Sequence, residues 1–227
     1  MAIGKVQNDT DIWNTTKSIN ANDFYEMAKK IPIGGEVYAV NALTGICQKM
    51  IDSYDEVLSD QNEYMVELEG ELNDLDIYQS EQNDRLQKLL EEIKALEEKE
   101  QNGTITEEEQ KELDNKKTEY TTLSGDTNTN LTDKNNKIKQ TQSQQEDRYL
   151  TKVKIAENYA NKTIEKGTPL AETEVKGGFF RKLFGTTGKD KKEAGEKAVK
   201  VGNELLDNVS ESKDIDSEYN SKLKKQK

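Results

Sequence analysis

Histidine is absent from the chain. With it go the commonest general base near neutral pH and the commonest side-chain ligand for transition metals. A single cysteine, Cys47, excludes an intrachain disulfide and is read as a small buried apolar residue. Two prolines in 227 residues leave long helices free to form. Hydrophobic residues make up only 32%, at a mean hydropathy of −1.01, where globular domains run at about 45–50% apolar with glycine counted. A thick layered core is therefore excluded. No apolar run approaches the roughly 18 residues of a membrane-spanning helix, and Met1–Asn20 lacks the apolar stretch of a cleaved signal. The expected location is cytoplasmic, with secretion without a cleaved signal as the alternative.

What the chain does have is a long heptad repeat. From Ile51 to Glu100 the a positions read Ile51, Leu58, Met65, Leu72, Gln79, Leu86, Ile93 and Glu100. The d positions read Tyr54, Gln61, Leu68, Leu75, Gln82, Leu89 and Leu96, so eleven of fifteen seam positions are apolar. A 3.5-residue repeat keeps one stripe facing a partner helix and imposes a left-handed supercoil. In this register Glu71 falls on the outer face. Gln61, Gln79 and Gln82 are polar interruptions that either set register or widen the seam.

Punctuation along the chain divides it. Residues 1–20, rich in Asn, Thr, Asp and Ser, read as a flexible N-terminal arm. Residues 21–50 read as a helical head, with Asn22 capping a short helix over Asp23–Lys30 and Pro32-Ile33-Gly34-Gly35 ending it. Residues 51–166 read as a coiled-coil hairpin. Its turn lies near 102–105, where Asn102-Gly103 stops one helix and Thr106-x-x-Glu109 caps the next. A polar break is expected near 124–130. Residues 167–188 form a linker opened by Gly167-Thr168-Pro169, and 189–227 a C-terminal helix with a charged, frayed tail. The expected fold class is all-α: an elongated antiparallel coiled-coil helical hairpin with a small N-terminal helical head and flexible termini.

Charge supports that pairing. Residues 51–100 carry 17 acids against 4 bases, and residues 131–166 carry 8 bases against 5 acids. An acidic rod repels phosphate backbones, so nucleic acid is not expected as a ligand.

The candidate docking residues are Phe179, Phe180, Arg181, Lys182, Leu183 and Phe184. They place three of the four phenylalanines beside two cations, a pattern that packs internally, fits a partner groove or touches an anionic membrane. Gly185-Thr186-Thr187-Gly188-Lys189 fails as a phosphate loop because Asp190 stands where Ser or Thr is required and no apolar strand precedes it. Asp126-Thr127-Asn128-Thr129-Asn130 fails as a calcium loop because Leu131 replaces the turn glycine and Lys137 the bidentate glutamate.

No constellation carries catalysis, and no cofactor, metal or small-molecule substrate is expected. The expected function is that of a non-enzymatic structural or adaptor protein, with protein partners or self-association through its helical seams. Two alternatives stand beside it. One is a leaderless exported effector or translocation component of a bacterial specialised secretion system, suggested by the polar N-terminal arm. The other is a peripheral membrane protein docking through residues 179–184.

Overall fold

In the computed structural model residues 10–32, 34–175 and 187–225 are described, and every regular element among them is helical. The elements are α1 (Thr10–Ser18), α2 (Ala21–Ala28), α3 (Gly35–Asp52), α4 (Tyr54–Gln101), α5 (Glu107–Gln145), a π-helical turn (Glu146–Leu150), α6 (Thr151–Ala171) and α7 (Gly188–Lys225). They divide into two units, Met1–Glu63 with Gln145–Lys227, and Tyr64–Gln144.

The first unit is a bundle whose interior is lined by Val40, Leu43, Cys47, Met50, Tyr54, Tyr149, Ala156, Tyr159 and Leu205, each fully or almost fully buried. The head expected at 21–50 is thus joined by α6 and α7. Part of the expected flexible arm is helical too. In α1 Trp13 is buried and packs edge-on to Tyr54 at 6.3 Å between ring centres. Thr16, also buried, donates its hydroxyl to the Ile12 carbonyl at 2.6 Å. Burial of Trp13 offsets the poor helix propensity of this Asn- and Thr-rich stretch, which composition alone does not reveal.

Asn20, not Asn22, caps α2: its Oδ1 accepts the Asp23 amide at 2.9 Å. Gly34 then takes a left-handed φ of +69°. At Gly35 a Cβ would stand 2.2 Å from the Lys29 carbonyl oxygen, so the glycine pair is required by the close return of the chain.

Two small-residue faces bring α6 and α7 together. A Cβ on Gly195 would lie 2.1 Å from the Ala171 amide nitrogen and 2.5 Å from the Gly167 carbonyl oxygen. A Cβ on Gly167 would meet the Ala198 Cβ at 2.7 Å. Backbones this close leave no room for a side chain. The contact also explains why α6 runs past Gly167-Thr168-Pro169 to Ala171, contrary to the expected stop: Leu170 is buried, and its burial holds the proline in the last turn. The tail likewise stays helical to Lys225. Val209, Ser212 and, seven residues on, Tyr219 continue the buried stripe of Ala198, Val201 and Leu205, so most of the charged residues form its outer face. At Ser53 the chain divides α3 from α4, three residues beyond the expected boundary between head and hairpin. The Ser53 hydroxyl bonds back to the Lys49 carbonyl at 3.0 Å.

The second unit holds α4 from Tyr64 and α5 to Gln144. The heptad register matches the burial pattern there. Met65, Leu68, Leu89, Ile93 and Leu96 are buried, Leu72, Leu75, Gln82 and Leu86 half-buried, while Gln79 and Glu100 are exposed. Gly103 turns the chain at φ +67°. The expected capping box follows it, with the Glu109 amide donating to Thr106 Oγ1 at 3.2 Å and the Thr106 amide to Glu109 Oε2 at 3.0 Å. Ile93 and Leu96 pack on Leu113, flanked by Ile105 and Tyr120.

Ion pairs then link α4 to α5 in descending order: Lys99–Glu109, Glu97–Lys117, Glu92–Lys116, Arg85–Glu119 and Glu71–Lys137. Glu71 therefore faces the neighbouring helix, not solvent: its side chain is only 10% exposed and its carboxylate lies 2.9 Å from Lys137 Nζ.

The expected break at 124–130 is absent, and α5 is continuous through it. Leu123, Thr127 and Leu131 turn inward at two successive four-residue steps, so the helix keeps an inward face through this stretch. Thr129 and Thr132 satisfy their hydroxyls on the carbonyls of Gly125 and Asn128.

Candidate interaction surface

Phe179, Phe180, Arg181, Lys182, Leu183 and Phe184 lie outside the described residues. The loop that failed as a phosphate site is described from Thr187 onward. Thr187 and Asp190 cap α7 reciprocally, the Asp190 amide donating to Thr187 Oγ1 at 3.2 Å and the Thr187 amide to Asp190 Oδ2 at 2.8 Å. A helix start is thus the role of that segment. Asp126–Asn130, the failed calcium loop, lies inside α5.

Inside the first unit the polar groups converge on structure. Gln61, fully buried, donates from Nε2 to the Ser212 carbonyl at 2.8 Å and to Asp216 Oδ1 at 3.1 Å. Tyr149, in the π-helical turn, donates its hydroxyl to the same Asp216 oxygen. Tyr54 and Ser212 share a hydroxyl–hydroxyl bond of 3.2 Å. The seam polarity of Gln61 was visible in the heptad. Its partners were not, because Ser212 and Asp216 lie in a stretch that reads as tail.

Cys47 sits fully buried against Thr163, with Sγ 3.1 Å from Oγ1. Burial pushes its thiol up to about 11. A thiol that is neither ionised nor accessible is inert. Cys47 should accordingly react with Ellman's reagent at neutral pH far more slowly in the native protein than in denaturant; equal rates would contradict its burial.

A shallow cleft of about 440 Å³ lies beside α1 and α6, with Thr16, Lys17, Ser18, Thr151, Lys154 and Tyr159 in its lining. Thr16 and Tyr159 are committed elsewhere, the tyrosine hydroxyl donating to the Ile19 carbonyl at 2.8 Å. Among the described residues no group of three or more carboxylate or thiol side chains is placed to hold a metal ion, and no helix is long and apolar enough to cross a membrane.

The second unit is described by its surface. It carries 20 acids and 10 bases over residues 64–144, and Val66, Ile77 and Leu90 stand out of it at 71%, 49% and 36% exposure. No family model matches the chain, and no curated protein or solved structure is similar to it.

Proposed function

We propose that the chain is a non-enzymatic structural or adaptor protein. In this reading α4 and α5 form an antiparallel coiled-coil hairpin that presents an acidic helical surface to protein partners. The descending series of ion pairs from Lys99–Glu109 to Glu71–Lys137, closing over the buried Ile93–Leu96–Leu113 cluster, supports the reading. Each exposed pair contributes little, under about 1 kcal/mol. Down α4 from Lys99 to Glu71 the α5 partners advance from Glu109 to Lys137, which points to a defined register, and the short turn holds the second helix at high effective concentration. The absence of histidine, and the commitment of Gln61, Tyr54 and Tyr149 to structural hydrogen bonds, support binding over chemistry in this reading.

Spin labels at Glu69 and Lys139, in a dilute sample mixed with unlabelled protein, should report a distance within about 30 Å, since the neighbouring Glu71–Lys137 pair is in contact. One straight helix across those positions would separate them by about 105 Å. Loss of the short distance would refute the hairpin. The adaptor role is tested on protein recovered gently from its own cells. It should migrate in a complex heavier than the 25.8 kDa chain, and that complex should dissolve when Leu113→Asp opens the seam. Recovery of the free chain alone would overturn the role.

A further inference from the structure

We propose that the outward face of α4 between Val66 and Asp84 docks a cationic amphipathic helix of a partner protein. The inference rests on the adaptor reading and names the chemistry of the partner. Val66 and Ile77 are 71% and 49% exposed. They stand eleven residues apart, or three turns, which sets their side chains within about 20° of one another around the helix axis. Gly70 and Asn73 lie between them on the same face, both exposed, and a Cβ on Gly70 would meet nothing within 4 Å. The result is an open stripe at i, i+4, i+7 and i+11, apolar at its two ends with Gly70 and Asn73 between, on the spacing by which one helix receives another. It is separate from the inward stripe of Leu68, Leu72 and Leu75.

Charge selects the occupant. Glu69, Asp74, Asp76, Glu81 and Asp84 flank the stripe, and α4 has no Lys or Arg before Arg85. Arg85 itself pairs with Glu119, and among the described residues no ion pair reaches any of these five carboxylates. A second copy would bring the same carboxylates face to face, and an anionic membrane or a nucleic acid would be repelled. A helix with apolar residues on one side and Lys or Arg beside them covers Val66 and Ile77 and neutralises the rim together.

The full chain is titrated by fluorescence anisotropy with two synthetic peptides of about five turns. One carries Leu at i, i+4, i+7 and i+11 among Lys and Ala; the other has the same composition scrambled. The amphipathic peptide should bind at least about tenfold more tightly, and added salt should weaken it. The Val66→Ser/Ile77→Ser double variant should abolish that difference with unchanged helix content, because both side chains are exposed. Met27→Ser, exposed at 56% in the other unit, should leave it intact. Equal binding of the two peptides, or an unaffected double variant, would overturn the proposal. A photo-cross-linker at Ile77 in the producing cells should mark a basic helical segment of another protein. Adducts to a second copy, to this chain's own residues 179–184 or to an acidic segment would overturn it, as would no adduct. The Glu69–Lys139 distance separates the two failures. If it is short, only the docking face is wrong; if it is lost, the hairpin beneath it is wrong.

Discussion

Gly195→Ala should be the most damaging single-methyl change in the protein. In an open helix the same substitution stabilises by about 1 kcal/mol, because alanine has less backbone freedom to lose. At Gly195 the new methyl would stand 2.1 Å from the Ala171 nitrogen and 2.5 Å from the Gly167 oxygen, both backbone atoms that cannot rotate away. α6 and α7 must then separate, opening the packed interface of Ala160, Ala198 and Leu205. Overpacking of this kind costs about 1–3 kcal/mol and sometimes more. A net loss of about 3 kcal/mol corresponds to a fall in Tm of roughly 6–12 °C for a unit of this size. Gly125→Ala in α5 is the internal control. Nothing lies within 4 Å of its Cβ direction, so the sign should reverse to a stabilisation of about 1 kcal/mol in its own unit. Thermal melts followed by circular dichroism decide the matter. If the two variants shift Tm in the same direction, the close α6–α7 contact is refuted.

Alkali should unfold the first unit between about pH 10 and 12. Cys47, Tyr54 and Tyr159 are each less than 2% exposed. Burial is the leading cause that raises their pKa values, to about 11, about 12 and about 12, from 9.0, 10.0 and 10.0. The Ser212 hydrogen bond partly opposes the rise at Tyr54, and the nearby Cys47 adds to it at Tyr159.

All three hold their protons more tightly folded than unfolded. Their contribution to stability is therefore complete below about pH 9 and lost as pH climbs through the folded values. Each group therefore loses on the order of a few kcal/mol across that range, a substantial share of the roughly 5–15 kcal/mol that holds a typical fold together. Ellipticity at 222 nm should fall together with the late phase of tyrosinate absorbance at 295 nm, the phase that reports buried Tyr54 and Tyr159. If the tyrosines ionise while the helix signal stays flat through pH 12, these side chains are not buried as described.

The helical elements were legible because each carries a local cause. The heptad from Met65 to Leu96 reappears as the inward stripe of α4, buried or half-buried except at Gln79, which is exposed. The stop at Asn102-Gly103 and the Thr106–Glu109 box reappear as a left-handed glycine and a reciprocal cap. These are interactions between residues a few positions apart, so a single sequence displays them. Composition misled where it stood in for contact. Asn- and Thr-rich residues at 10–18 and 124–130 look like loop formers, yet Trp13 and Thr127 each place one inward side chain that holds the helix.

An all-α chain with a long acidic heptad helix, a turn near Gly103 and no histidine or disulfide chemistry follows from the order of residues alone. The folded structure settles which glycines must be glycine. Gly125 and Gly195 look alike in sequence, and the difference between them is a neighbouring backbone 2.1 Å from where a methyl would stand. It also decided that Glu71 turns inward to Lys137, and that Ser212 and Asp216, in an apparent tail, complete the bonds of Gln61 and Tyr149. Those partners are separated by 66 to 155 residues, and only the folded chain brings them within hydrogen-bond distance.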